Sequence, residues 1–90
     1  MGIRYDWPSE ALGRQVGTRK ALEITLVAPG RTGWKNDLFA GDVVLAVNGR
    51  TPTKERMRRF CQAPAGGTLR IWRDGQIIEK TISVDSPAVR

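Results

Sequence analysis

The 90-residue sequence predicts a single small domain, mainly β with α, with one main helix and one short one. Three observations lead there. Leu22–Val27 alternates Leu22, Ile24 and Leu26 against Glu23 and Thr25, the period-2 pattern of a half-buried strand. Val43–Val47 is five apolar residues closed by Asn48-Gly49, a dipeptide whose members both tolerate positive φ and mark a tight turn. Asp74-Gly75 divides Thr68–Arg73 from Gln76–Val84, which reads as a two-residue hairpin.

The order of elements is strand, loop, strand, loop, strand, helix, strand, strand. Ala11–Val16 is a short, weakly alternating run interrupted by Gly13 and reads as the first strand. Leu22–Val27 is the second, ended by Pro29-Gly30. Thr32–Leu38 predicts one short helical turn with Trp34 and Leu38 at i, i+4. Val43–Val47 has no solvent-facing alternate, so it is expected at the centre of a sheet, covered on both faces. Thr51-Pro52-Thr53 starts a helix, with either threonine able to cap. The helix then runs Lys54–Gln62 with Met57, Phe60 and Cys61 as a narrow apolar stripe, ended by Pro64 and Gly66-Gly67. Residues 1–10 read as an N-terminal extension, 11–84 as the domain and 85–90 as a frayed tail.

Composition excludes several function classes. Apolar residues make up 40% and charged residues 27%, which is neither a disordered chain nor a membrane protein. No apolar run approaches the ~20 residues that span a bilayer, and Met1–Asp6 lacks the apolar stretch of a signal peptide. A chain of this kind is also what a domain cut from a longer protein looks like. The single cysteine, Cys61, forms no internal disulfide, and the chain has no histidine. The commonest general base and metal ligand are therefore missing, and the nine acids are scattered singly, so the sequence calls for no cofactor, no metal and no catalytic residues. Cys61 reads as a small buried hydrophobe and Asp42 as a loop acceptor for backbone N–H groups.

The segment Leu38-Phe39-Ala40-Gly41-Asp42-Val43-Val44-Leu45-Ala46-Val47-Asn48-Gly49 resembles the "L-x-x-G-D-x-x-L-x-V-N-G" signature of PDZ domains, which are peptide-binding modules. Other pieces follow in the family's order. Ala11-Leu12-Gly13-Arg14 resembles its carboxylate-binding loop, Leu22–Pro29 its next strand and loop, and Trp72-Arg73-Asp74-Gly75 its hairpin. The spacing is similar to PDZ domains attached to bacterial proteases, such as the high-temperature-requirement serine proteases or the glycyl-aminopeptidase metalloproteases. The resemblance implies a small, partly open β-barrel or sandwich of five to six strands. It also implies a non-catalytic domain that binds a peptide or protein C-terminus and recruits or regulates substrate for a parent protease. Two departures stand out. Arg14 replaces the apolar residue that ends the family's binding loop, and Arg31-Thr32-Gly33-Trp34 replaces its usual small residues.

The resemblance implies a binding site in two parts. Backbone N–H groups of Leu12, Gly13 and Arg14 would hold a carboxylate, and Arg14, Gln15 and Val16 would pair with the incoming peptide as an added strand. The helix face of Met57, Phe60 and Cys61 would wall the groove. The net charge of +6, with Lys54, Arg56, Arg58 and Arg59 crowded on one helix, suggests an acidic ligand, with Arg14, Lys54 and Arg58 at the groove. Two alternatives compete. One is a structural or interdomain module with an unoccupied groove. The other, resting on charge alone, is a nucleic-acid-binding domain, against which stand the few aromatics, 7%, not interleaved with basic residues. The compartment, periplasmic or cytoplasmic, would follow the parent protein.

Overall fold

The structure is a computed structural model, which describes residues 2–62 and 66–82. Five strands form one antiparallel sheet in the order β1-β2-β3-β4-β5: β1 Ile3–Asp6, β2 Leu22–Val27, β3 Val43–Val47, β4 Gly67–Arg73 and β5 Gln76–Ile82. Three helices connect them: α1 Glu10–Val16, α2 Thr32–Lys35 and α3 Lys54–Gln62. The sheet is open, with β1 and β5 at its two edges, and five strands agree with the expected number.

The core gathers on one side of this sheet. Leu22 and Ile24 of β2, Val44 and Val47 of β3, Leu69 and Ile71 of β4 and Ile82 of β5 meet Met57 and Phe60 of α3, with Leu38 closing the end. β3 lies at the centre as its pattern requires: Val43 and Val44 are fully buried and Val47 nearly so. Leu45 and Ala46 are half-buried. The register with β4 slips between Val44 and Ala46, so a bulge at Leu45 interrupts the strict alternation of faces. β2 and β3 pair through Leu22–Val44 and Glu23–Val43, and the pairing runs on into the preceding loop, with Ile24 N bonded to Asp42 O and Gly41 N to Ile24 O, each at 2.8 Å.

Both predicted tight turns form. Asn48 and Gly49 have φ of 50° and 78°, Asp74 and Gly75 of 49° and 85°, the left-handed pairs of a type I′ turn. Reciprocal hydrogen bonds close the first, Val47 N to Arg50 O at 2.8 Å and Arg50 N to Val47 O at 3.0 Å. α3 begins where expected, and the cap is Thr53, whose hydroxyl accepts the Arg56 N–H at 2.9 Å. Pro52 packs fully buried just ahead of it. The expected helix end at Pro64, the last strand residue Val84 and the tail 85–90 lie outside the described residues.

Three expectations about the chain's first half are corrected. Ala11–Val16 is helical, not a strand. Ser9 caps it by accepting the Leu12 N–H at 3.2 Å, Glu10 sits in its first turn, and Gly17 ends it at φ 88° with its N–H bonded to the Gly13 carbonyl at 2.9 Å. These local terms outweigh the weak alternation, because cap, first-turn acid and left-handed glycine all specify one helix. The first strand instead lies in the stretch read as an extension: Ile3–Asp6 pairs antiparallel with β2, Ile3 facing Val27 and Asp6 facing Glu23. The short helix α2 stops at Lys35, so Trp34 and Leu38 do not share a face. Leu38 is fully buried and Trp34 is 51% exposed.

Candidate functional site

β1 sits at the end of the sheet, so among the described residues one of its backbone edges has no strand partner. An unpaired edge is a template for another chain. The element beside it is α3. The Tyr5 hydroxyl lies 3.5 Å from the Lys54 carbonyl oxygen, and Lys54 Nζ lies 2.8 Å from Asp6 Oδ1. Lys54 also sits 5.6 Å from the centre of the Trp7 ring. Ile3, Tyr5 and Cys61 are half-buried and pack against the core. β1 and one flank of α3 thus line a shared groove, pinned at the first turn of the helix.

The strand's alternation explains which residues enter this groove. Ile3 and Tyr5 turn inward and Arg4 and Asp6 outward, the period-2 consequence of pleating. Tyr5 titrates above its ordinary value, first because burial disfavours the phenolate and then because of the Cys61 thiol; Arg58 and Lys54 act in the opposite direction. Lys54, bonded to Asp6, and Cys61, packed with Tyr5 against the core, lie on the flank of α3 that faces β1, and Arg58 at i+4 falls between them on the same flank. Burial likewise pushes the Cys61 thiol up. The Lys54 ammonium, bonded to Asp6, and the Trp7 N–H hold the Asp6 carboxyl below the usual carboxylate range.

The structure separates the residues proposed for peptide contact. Met57 is fully buried and Phe60 4% exposed, so both are core, supporting the helix from behind. Cys61 alone of the stripe is half-buried beside β1. The proposed carboxylate nest is corrected. Leu12 N–H is taken by the Ser9 side chain and Gly13 N–H by the Ser9 carbonyl at 2.8 Å, while Gly13 lies buried in the helix. Helical backbone at Leu12, Gly13, Arg14, Gln15 and Val16 has no row of free donors and acceptors to extend a sheet. The Arg14 guanidinium is bonded to Glu10 one turn back on α1.

The strand that carries the free edge was missed, and its signal is short. Ile3-Arg4-Tyr5-Asp6 alternates apolar and polar over only four residues, at the lower limit of a readable period. Pro8-Ser9-Glu10 was the companion clue, since a capping serine followed by an acid marks a helix start after it.

A second constellation fixes the loop before β3. Asp42, 2% exposed, accepts the Phe39 N–H at 2.9 Å and is gripped by Arg73, whose Nε lies 2.8 Å from Oδ1 and whose terminal nitrogen lies 2.7 Å from Oδ2. Arg73 also donates to the Asp37 carbonyl at 2.7 Å and lies over the Phe39 ring at 4.5 Å. Asp42 is therefore a structural acceptor, as expected, and its partner is the arginine of the β4–β5 hairpin. Among the described residues no helix is long and apolar enough to cross a membrane.

No protein-family model and no curated protein sequence matches the chain. Solved structures do. The chain is similar to the HtrA3 PDZ domain bound to a phage-derived ligand (FGRWV), with a TM-score of 0.78 at 19% identity, over 92% of this chain and 81% of that one. It is also similar to a variant of the HtrA-type protease AlgW with a decapeptide, with a TM-score of 0.73 at 20% identity over 99% of this chain. A further AlgW structure with decapeptide gives a TM-score of 0.66 at 16% identity. The chain spans 30% and 29% of the length of the two AlgW chains.

Proposed function

We propose that this chain, which has the PDZ fold found in HtrA-type proteases, binds an extended peptide along the free edge of β1, in the groove shared with α3. The carrying observation is the unpaired edge of β1 held beside α3 by Tyr5, Asp6 and Lys54. Strand addition supplies backbone hydrogen bonds that are indifferent to sequence, and alternate peptide side chains reach the helix flank, which sets preference. No acid, base or metal takes part in such binding. Tyr5, Lys54, Arg58 and Cys61 are the residues positioned to meet those side chains. The similar HtrA3 domain holds a peptide and the AlgW proteases were captured with one, which supports the same use here. Within a longer parent, such a module would recruit or regulate substrate for a protease domain.

The test is an amide chemical-shift titration of the 90-residue chain with FGRWV, as free acid and as C-terminal amide. The expected result is shifts concentrated in residues 3–6 and 54–61. Shifts confined to α1, or none at millimolar peptide, would overturn the reading. A stronger response to the free acid would show that a C-terminal carboxylate is read.

A further inference from the structure

A separate basic concavity lies on the other flank of α3, turned away from β1. Its volume is about 250 Å³, and it is lined by Val47, Asn48, Arg50, Arg56, Arg59 and Phe60. Arg56 and Arg59 lie about 100° to 160° around the helix axis from Lys54 and Arg58, at about 100° per residue, so the two flanks are distinct. The lining comes from two rigid elements. The closed type I′ turn at Asn48-Gly49 fixes Arg50 at one wall. Asn48 is tied across to β4, its N–H on the Thr68 carbonyl at 2.8 Å and its Oδ1 accepting the Thr68 N–H at 2.9 Å. Gly67 makes this fit possible, since a Cβ there would stand 2.3 Å from Asn48 Oδ1 and 2.8 Å from the Phe60 ring.

Convergence distinguishes this concavity from the rest of the basic surface. Several cations elsewhere are tied to single carboxylates: Arg14 to Glu10, Lys54 to Asp6, Arg70 to Glu79 and Arg73 to Asp42. Here three arginines line one concavity, and of them only Arg59 has a carboxylate partner among the described residues, Glu55 at 3.1 Å. The surplus is three minus one, two positive charges. Arg56 donates to the Thr51 carbonyl, which orients it without neutralising it. Arg50 has no ion-pair or side-chain hydrogen-bond partner among the described residues. Guanidiniums suit tetrahedral oxyanions because their planar donors bind two oxygens at once. A phosphate monoester near pH 7 carries about −1.5 to −2 charges, which a surplus of two complements and a single carboxylate does not.

We propose that Arg50, Arg56 and Arg59 form a phosphate-monoester site, with Val47 and Phe60 as an apolar floor for the stem that carries the phosphate. The site is independent of the peptide groove and does not rest on it.

The experiment is an amide and arginine side-chain titration at about 150 mM salt with inorganic phosphate, phenyl phosphate, phenyl sulfate and phenylacetate. The expected result is shifts at Asn48, Arg50, Arg56, Arg59 and Phe60. Phenyl phosphate should bind at least fivefold tighter than the singly charged phenyl sulfate and phenylacetate. The double variant Arg50→Gln/Arg59→Gln should weaken phenyl phosphate at least tenfold. The variant Lys54→Gln/Arg58→Gln removes equal charge from the other flank and should change it less than twofold. Equal losses in the two variants would reduce the effect to general charge attraction and overturn the site. So would equal binding of phenyl sulfate, or an oligonucleotide that binds tighter while shifting both flanks. A short peptide bearing phosphotyrosine separates the sources of the group. Tighter binding than phenyl phosphate points to a phosphorylated protein segment, equal binding to a small phosphate monoester, and both support the site.

Discussion

Asp42 and Arg73 show how much a single pair decides. Asp42 is buried, and Arg73 supplies two of the bonds that satisfy it. Removing only the arginine leaves a buried carboxylate with the Phe39 N–H alone, which is costlier than losing the pair outright. Arg73→Met, which keeps the packing over Phe39, is expected to destabilise the domain by about 3 kcal/mol, read as a lowered denaturant midpoint at constant m-value. Val47 makes the opposite case for apolar burial. Val47→Asp places an unpaired carboxylate at a position 2% exposed in the central strand, and should leave no folded domain by amide dispersion. Gly13 carries a prediction that reverses with its element. In a binding loop it would be irreplaceable, but in α1 an added Cβ meets only Arg19 Cγ at 3.5 Å and the Thr18 carbonyl at 3.6 Å, ordinary contacts. Gly13→Ala should therefore stabilise the chain by up to about 1 kcal/mol and leave peptide binding unchanged. Loss of binding in a folded Gly13→Ala variant would return this position to the site.

Among the elements, β1 and α1 are the pair where local pattern and final structure part. The weak alternation of Ala11–Val16 reads as a strand, and a capping serine and a left-handed glycine make it a helix instead. β1 has too few residues to announce itself, and becomes a strand because β2 presents an edge for it to pair with. By contrast β2 and β3 begin and end, and α3 begins, where the pattern says they should. The groove's closure depends on a clasp between elements. Asp6 titrates low in the folded state because Lys54 holds it, so the clasp's contribution is present above the unfolded carboxylate value, about 4, and is lost as pH falls through the folded one. Amide exchange in β1 should accelerate in that acid range relative to β3. In Lys54→Met the acid dependence should weaken, leaving only the part that the Trp7 N–H sustains, which side-chain carboxyl titration of Asp6 would report directly. Cys61, half-buried beside β1 with its thiol pushed up, should react with iodoacetamide more slowly than a free thiol at pH 8, and more slowly still with peptide in the groove.

For the molecule taken together, the fold ties part of the +6 charge into ion pairs and gathers three arginines around one concavity. A chain of this size has a small unfolding entropy, so a ligand moves its melting point strongly. Peptide at 100 times its Kd should stabilise by about 2.7 kcal/mol, raising Tm on the order of ten degrees. Thermal melts at several peptide concentrations check this, and an invariant Tm would argue for an idle groove. The two sheet edges differ in kind. β5 shows charged Glu79 and Lys80 and remains an outer strand, while β1 lies next to a helix flank that can read what is added to it.

Leu38–Gly49, the Asp74-Gly75 turn and the Lys54–Gln62 helix were legible in one dimension, because turn chemistry, capping and hydrophobic period act between residues a few positions apart. They determined a small antiparallel domain, its central strand and its family likeness. The site was not legible in the same way. Which edge is left free depends on sheet order, which cations are neutralised depends on which helix flank faces which strand, and Ile3–Asp6 becomes a strand only by pairing with residues about twenty positions away. Those are long-range relations, and local periodicity holds no record of them. Only the tertiary structure brought β1 to α3 on one flank and gathered Arg50, Arg56 and Arg59 on the other.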